Sequence, residues 1–342
     1  MAEKLNLVTG ATGLLGSHIA EQLRERGERV RALVRPTSDT TALEEMGVEL
    51  AVGDLGDSAS VQEALAGVDV VYHCAAKVGD WSPWQQFQTE VIDATRYLLN
   101  ACQANSVKRV LYVSSIMVYG HLQEREEPFK ENEPLGQNLW WYEYYAHSKI
   151  RAEKLFAKYP GEYAIIRPSW IFGPRDRNTL PRLIKAVKSR RTAVIGTGNK
   201  FVNLVYVGDV ARAAILAANS ELANGRAYNI SSHGELTHQE LLNILTEFLG
   251  VPPITKSVSP KMAVFLGWFA ECVGRLIFLK RPPHVTRYGV GLFLRSTNYS
   301  TEKAEQELGW EPQKSTREAL RWSLESQFEK NGQLSGIQPS RS

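Results

Sequence analysis

Leu5-Asn-Leu-Val-Thr9-Gly10-Ala11-Thr12-Gly13-Leu14-Leu15-Gly16 decides how the rest of this chain is read. Leu5 to Thr9 has strand character, and Leu14 to Arg26 carries apolar residues at helical spacing, with Gly27 closing the helix. Strand, glycine turn and helix follow one another with no residue to spare. In that order Gly10 makes the turn, Gly13 lets backbone approach a pyrophosphate, and Gly16 lets helix pack on strand. The first N–H groups of the helix then face the phosphates, which predicts a dinucleotide site at Gly10, Thr12, Gly13, Leu14, Leu15 and Gly16. A purely structural turn in a βα unit is the alternative for three glycines alone, and the flanks count against it.

The second strand, Glu28-Arg-Val-Arg-Ala-Leu-Val34, ends where a dinucleotide site places the residue that meets the adenosine ribose. An Asp or Glu there would select NAD. Arg35-Pro-Thr-Ser38 stands there instead, and a cation with hydroxyls such as that of Ser38 suits a 2′-phosphate. NADP(H) is therefore the favoured cofactor. NAD(H) is the alternative, with Arg35 stacked on adenine or simply solvated. Asp54, followed by Leu55, is placed either to accept from the adenine amino group or to turn the chain into the next helix.

Tyr145-Ala-His-Ser-Lys149 carries the chemistry. A spacing of four puts phenol and ammonium on one helix face. Tyrosine ordinarily titrates near ~10, so proton exchange near neutrality needs nearby positive charge, which Lys149 and an oxidised nicotinamide would supply. The spacing recurs at Tyr299-Ser-Thr-Glu-Lys303, read as a loop entering a surface helix. Tyr145 is preferred because it follows the strand Val107–Val113 and its ending Ser114-Ser115. Ser115 lies at the carboxyl end of that strand, where it can hold the reacting oxygen beside the tyrosine. Taken alone, the two serines also suit a strand-to-loop cap.

The ordered motifs resemble an extended short-chain dehydrogenase/reductase over nearly the whole chain, to about Gln327. They are Gly10–Gly16, Gly53-Asp-Leu55, His73-Cys-Ala-Ala76, Val113-Ser-Ser-Ile-Met-Val-Tyr-Gly120, Tyr145 to Lys149, Arg167-Pro168 with Phe172-Gly-Pro174, and Leu308-Gly-Trp310. The resemblance implies a catalytic triad of Ser115, Tyr145 and Lys149. It further implies that Ala75, Ala76 and Lys77 pass near the cofactor and that Pro168, Ser169 and Ile171 border the nicotinamide. Similar enzymes carry Asn-Val-x-Gly-Thr in the helix after the fourth strand. Here it reads Val91-Ile-Asp-Ala94-Thr95, so the asparagine of a water-linked relay is absent. Ile116-Met117 replaces the Asp-Glu pair of a 4,6-dehydratase, which argues against dehydration.

The expected fold class is α/β, a Rossmann-type doubly wound parallel sheet of about seven strands with a smaller, mainly helical C-terminal substrate lobe. The boundaries read as 1–175 for the dinucleotide-binding domain, 176–200 for a lobe insertion, 201–232 for a return to the sheet, 233–329 for the lobe and 330–342 for a polar, frayed tail. With 342 residues and 43% apolar content, the chain can bury one large core. A net charge of +3 is too small to point to nucleic acid. Cys74, Cys102 and Cys272 lack metal or redox spacing, and no metal is expected. No signal pattern precedes Leu5, which predicts a cytoplasmic protein. By analogy with similar proteins, a homodimer would form through the helices bearing Leu98 and Tyr145.

Trp81, Trp84, Trp140, Trp141 and Trp170 fall in segments bordering the proposed site, which suggests a broad apolar substrate surface or ordinary loop packing. Met262 to Leu279 is too short and interrupted to span a bilayer. It reads as a core helix of the lobe, a lid over an apolar substrate, or a membrane-surface helix, the last supported weakly by Lys280-Arg281. With Gly173–Arg177 and Pro283–Arg287, these features resemble the 3β-hydroxysteroid dehydrogenase branch. The resemblance implies a secondary alcohol or ketone on a bulky, sterol- or terpenoid-like skeleton. The alternatives are a nucleotide-sugar epimerase retaining NAD, with Arg175, Arg177, Arg190 and Arg191 available to a diphosphate, and a non-catalytic NAD(P)-sensing scaffold.

Overall fold

The computed structural model describes residues 4–79, 81–121, 126–232, 234–279, 281–294 and 296–330. Seven strands form one sheet: β1 (Leu5–Thr9), β2 (Arg29–Val34), β3 (Glu49–Val52), β4 (Val70–His73), β5 (Arg109–Val113), β6 (Glu162–Pro168) and β7 (Arg226–Ile230). Their order is β7-β6-β5-β4-β1-β2-β3, with every pair parallel. The expected doubly wound sheet is therefore present. The chain winds outward both ways from β1 and β4, which leaves a crevice beyond the carboxyl ends of those strands.

Burial on both faces explains the unbroken apolar runs, since parallel strands are covered on each side. Val8 joins the core beneath helices α1 (Leu14–Glu25) and α4 (Val207–Asn219), whereas Leu7 joins the opposite core beneath α2 (Ala94–Ala104) and α3 (Tyr144–Phe156). Alternation of side chains along one strand thus feeds two layers. Five residues of α4 from Ala211 to Ala218 are alanines, and this smooth surface lets α4 sit close to α1 and the sheet.

A third core holds Phe172, Leu180, Leu241, Leu245, Leu320 and Leu324. It is built from helices Thr179–Lys188, His238–Phe248 and Thr316–Lys330. The basic stretch after Asn178 is helical as far as Lys188, and Arg190 follows with φ +54. The C-terminal region is mainly helical, with two short strands, Leu236–Thr237 and Ser257–Val258. The polar tail expected from 330 begins at the last residue of Thr316–Lys330, and 331–342 lie outside the described residues.

Two local readings are corrected. Tyr299 is buried, stacked on Tyr119 at 5.8 Å, so this second Tyr-Lys pair begins inside the core and not on a surface loop. Met262 to Leu276 lies in α5 (Pro260–Leu276), which is not a core helix: only Ala263, Gly267, Glu271 and Gly274 are buried.

Candidate active site

The turn after β1 is tight for steric reasons that the glycines answer. Gly10 has φ +68 and a Cβ there would lie 2.8 Å from the Ala75 nitrogen; one on Gly16 would lie 2.7 Å from the Gly10 carbonyl carbon. The Gly13 N–H donates to the Gly10 carbonyl at 2.9 Å, and Gly13 caps α1 without any side chain on the first N–H groups. Uncapped helix donors beside backbone stripped of Cβ atoms fit a pyrophosphate. Buried hydroxyls of Ser114, Ser169, Ser231 and Ser232, just past β5, β6 and β7, have no protein hydrogen-bond partner. The carboxyl edge of the sheet therefore offers donors and acceptors to a ligand.

The other predicted cofactor residues occupy the same edge. Arg35 is exposed past β2, and the Ser38 N–H donates to its carbonyl at 2.9 Å. Asp54 accepts from the Gly56 N–H at 2.8 Å, so its carboxylate helps form the turn into the following helix. Leu55, Ala75, Ala76 and Lys77 are half-buried in the loops after β3 and β4. Thr12 and Leu14 are half-buried and Leu15 is buried at the start of α1; Pro168 ends β6, with Ser169 buried and Ile171 half-buried beyond it.

Ser115 and Tyr145 are hydrogen-bonded next to this edge, with Lys149 one turn further along α3. Ser115 is the N-cap of a short 3-10 helix, Ile116–Tyr119, and accepts from the Met117 N–H at 3.2 Å. Burial pushes the Tyr145 phenol up to about 12, against a hydrogen bond with Ser115 that favours the anion. Lys149 donates to the Val113 carbonyl at 2.7 Å and lies over the Tyr112 ring at 4.8 Å. Burial lowers its ammonium to about 8, with Cys74 and Glu153 acting the other way. In the chain alone burial thus dominates both groups. Positive charge brought close to the phenol, from Lys149 or from an oxidised nicotinamide, would act against burial and favour the anion.

One polar chain beneath this site escaped the sequence reading. The Ala75 N–H donates to Thr9 Oγ1 at 3.2 Å, Thr9 Oγ1 meets His73 Nδ1 at 2.8 Å, and His73 Nε2 meets Thr95 Oγ1 at 3.0 Å. Thr95 in turn donates to the Val91 carbonyl at 2.6 Å. These directions make Nδ1 the acceptor and Nε2 the proton carrier, and burial holds His73 at about 3. The anchoring carbonyl lies in a π-helical turn, Gln88–Asp93, at the point where Val91 replaces the expected asparagine. Thr95 was visible as the last residue of that motif, and its hydroxyl was the available signal.

The tryptophans divide. Trp84 and Trp141 pack against Tyr144, and Trp140 and Trp141 pack against Tyr142. Trp81 donates to the Leu279 carbonyl at 2.8 Å and, with Pro83, Tyr144, Gly274, Phe278 and Leu279, lines a groove of about 370 Å³. Trp170 belongs elsewhere: it packs on Phe293 and donates to Thr179 in the third core. Arg175 is bound by both terminal nitrogens to Glu21 on α1, at 3.0 and 2.6 Å, and Arg177 pairs with Asp39 at 3.5 Å. Burial works against the Glu21 carboxylate, but hydrogen bonds from His18 and Arg175 bring it down to about 2.

A model of the NAD dependent epimerase/dehydratase family matches residues 6–231, from β1 just past β7. The chain belongs to that family. A 2-alkyl-3-oxoalkanoate reductase from Stenotrophomonas maltophilia is 33% identical, with 92% of this chain and 97% of the relative covered. A sterol-4-alpha-carboxylate 3-dehydrogenase, decarboxylating, from Mus musculus is 27% identical over 93% of this chain and 90% of its own length. MoeE5, solved in complex with UDP-glucose and NAD, superposes with a TM-score of 0.72 at 26% identity, covering 95% of this chain and 99% of that one. The expected kinship with 3β-hydroxysteroid-type dehydrogenases is thus present among relatives, beside epimerases of the same fold. Among the described residues no helix is long and apolar enough to cross a membrane, and no group of three or more His, Cys, Asp or Glu could hold a metal.

Proposed function

We propose that this family member is an NADP(H)-preferring oxidoreductase that interconverts a ketone and a secondary alcohol on a bulky apolar substrate. The observation that carries the reading is the aromatic groove of Trp81, Tyr144 and Phe278, whose Tyr144 directly precedes Tyr145 in α3. The reductase and the sterol dehydrogenase among its relatives support the same substrate class. In reduction, the bound dihydronicotinamide supplies hydride to the carbonyl carbon. Tyr145 gives its phenolic proton to the carbonyl oxygen, Ser115 holds that oxygen by hydrogen bond, and Lys149 stabilises the resulting phenolate. The proton then returns to Tyr145 from solvent. Arg35 and Ser38 meet the 2′-phosphate. Arg175, tied to Glu21, is not free for a diphosphate sugar, which weighs against an epimerase.

The test is absorbance at the nicotinamide band with NADPH or NADH and a panel of 2-alkyl-3-oxoalkanoates and 3-ketosteroids, alongside UDP-glucose. Turnover of an apolar ketone is expected, with Tyr145→Phe lowering kcat by roughly 10²–10⁴. Tightly retained NAD with UDP-sugar interconversion and no net redox change would replace this reading with the epimerase. Unchanged turnover in Tyr145→Phe would remove Tyr145 from the mechanism.

A further inference from the structure

Helix α5 reverses the usual amphipathic arrangement. A surface helix ordinarily buries its large apolar residues and shows polar ones to water. Here the buried stripe is Ala263, Gly267, Glu271 and Gly274, while Met262, Phe265, Trp268 and Phe269 face outward. The exposed run continues from Leu276 at the helix end, 77% exposed, to Phe278 beyond it, 88% exposed. Close approach explains the small residues inside: a Cβ on Gly267 would lie 2.9 Å from the Arg287 nitrogen, and one on Gly274 would lie 3.2 Å from the Trp81 ring. The inner face is fully used for packing, so the bulky face is turned outward by the fold itself.

Charge decides what covers that face. Lys261, Arg275 and Arg281 are exposed along the same segment. The sole acid between residues 260 and 287 is Glu271, which is buried and accepts from the Arg287 N–H at 2.6 Å and from its Nε at 2.8 Å. The outer surface is thus apolar with unopposed cations. A second copy of the chain meeting it face to face would set like charges against each other. Anionic lipid headgroups would oppose them and draw each cation to the surface. A 17-residue helix with a buried acid is too short to span a bilayer, but it is long enough to lie in the plane of its interface.

We propose that α5 and the turn Ile277–Leu279 dock the protein on an anionic bilayer surface, with the aromatic face inserted among the acyl chains. Trp140 and Trp141, exposed in the loop that Arg287 ties to α5 through the Tyr142 hydroxyl at 2.6 Å, extend the contact at headgroup depth. The groove between Trp81 and Phe278 then opens beside the membrane. This surface stands on exposure and charge, and holds whatever reaction the chain performs.

The experiment is co-sedimentation of the full chain with vesicles of phosphatidylcholine alone and of phosphatidylcholine mixed with phosphatidylglycerol. Binding to the mixed vesicles is expected, at least roughly tenfold tighter than to neutral ones and weakened by salt. The double variant Phe269→Glu, Phe278→Glu should lose roughly tenfold or more in partitioning, with its urea midpoint unchanged because both side chains are exposed. Absence of vesicle binding would overturn the proposal, as would binding that the double variant retains. A dimer that the double variant splits, without vesicle binding, would assign the face to a second copy and equally overturn it.

Discussion

Gly16→Ala tests the glycine turn at its tightest point. The added methyl would lie 2.7 Å from the Gly10 carbonyl carbon, 2.9 Å from Ala11 Cα and closer still to the Gly10 oxygen. Every atom it meets is backbone, and the Gly13 N–H bond to Gly10 and the Ser17 N–H bond to Gly13, at 2.9 and 3.1 Å, hold that backbone in place. Relief requires α1 to lift from the turn. Overpacking of this kind costs about 1–3 kcal/mol, from which the better helix propensity of alanine returns up to about 1. A net loss of about 1–2 kcal/mol is expected. A displaced helix N-terminus should cost cofactor affinity tenfold or more, which is about 1.4 kcal/mol. Gly27→Ala is the matched control, because Gly27 has φ +76 but open space around it. It should lose about 1 kcal/mol from backbone strain alone and bind cofactor normally. Urea midpoints and NADPH fluorescence titration of the two variants separate strain from steric displacement. If Gly16→Ala matched the parent in both, the turn would not be the phosphate cradle.

Arg167→Met removes the partner of Glu153, two side chains 7% and 6% exposed and 2.7 Å apart, so a loss of about 3–5 kcal/mol is expected. Adding Glu153→Met should restore most of it, and a double variant as weak as the single would show that the pair itself is stabilising. Lys149, about 8 in the folded chain against 10.5 free, binds fewer protons folded than unfolded between those values. Stability should therefore rise with pH across that window by about 3 kcal/mol, the burial penalty being fully present below pH 8. Urea midpoints from pH 8 to 10 should climb in the parent and not in Lys149→Met; parallel climbs would locate the effect in another group.

Much of the fold was legible because its signals are local. Leu5–Thr9, the three glycines and the helix from Leu14 each occupy a few consecutive residues, and alternating units force a parallel sheet. The nearness of Tyr145 to Ser115 was legible for a similar reason, since a helix position and a strand end each fix a place. Partners set by tertiary packing were not. Nothing in the sequence separates Trp170 from the other tryptophans, yet its neighbour Phe293 draws it into the third core. Arg175 reads as available until Glu21, 154 residues earlier, takes both its terminal nitrogens. Met262 to Leu279 reads as a core helix because hydrophobicity says how much wants burial and not which side the small residues face. His73 and Thr95 stand 22 residues apart, so their hydrogen bond follows only from placing α2 across β4.

The small-residue face of α5 also bears on local opening. Ala263, Gly267 and Gly274 together contribute little side-chain surface to the contact, so α5 gains far less from burial than α4, whose Ile215 and alanines are enclosed. Glu271 with Arg287 and the Trp81 bond to the Leu279 carbonyl add polar ties to that close packing. A segment that buries so little side-chain surface can open at a fraction of the free energy needed to unfold the sheet. Amide exchange along α5 would then run ahead of exchange in α4 while the Rossmann core stays closed.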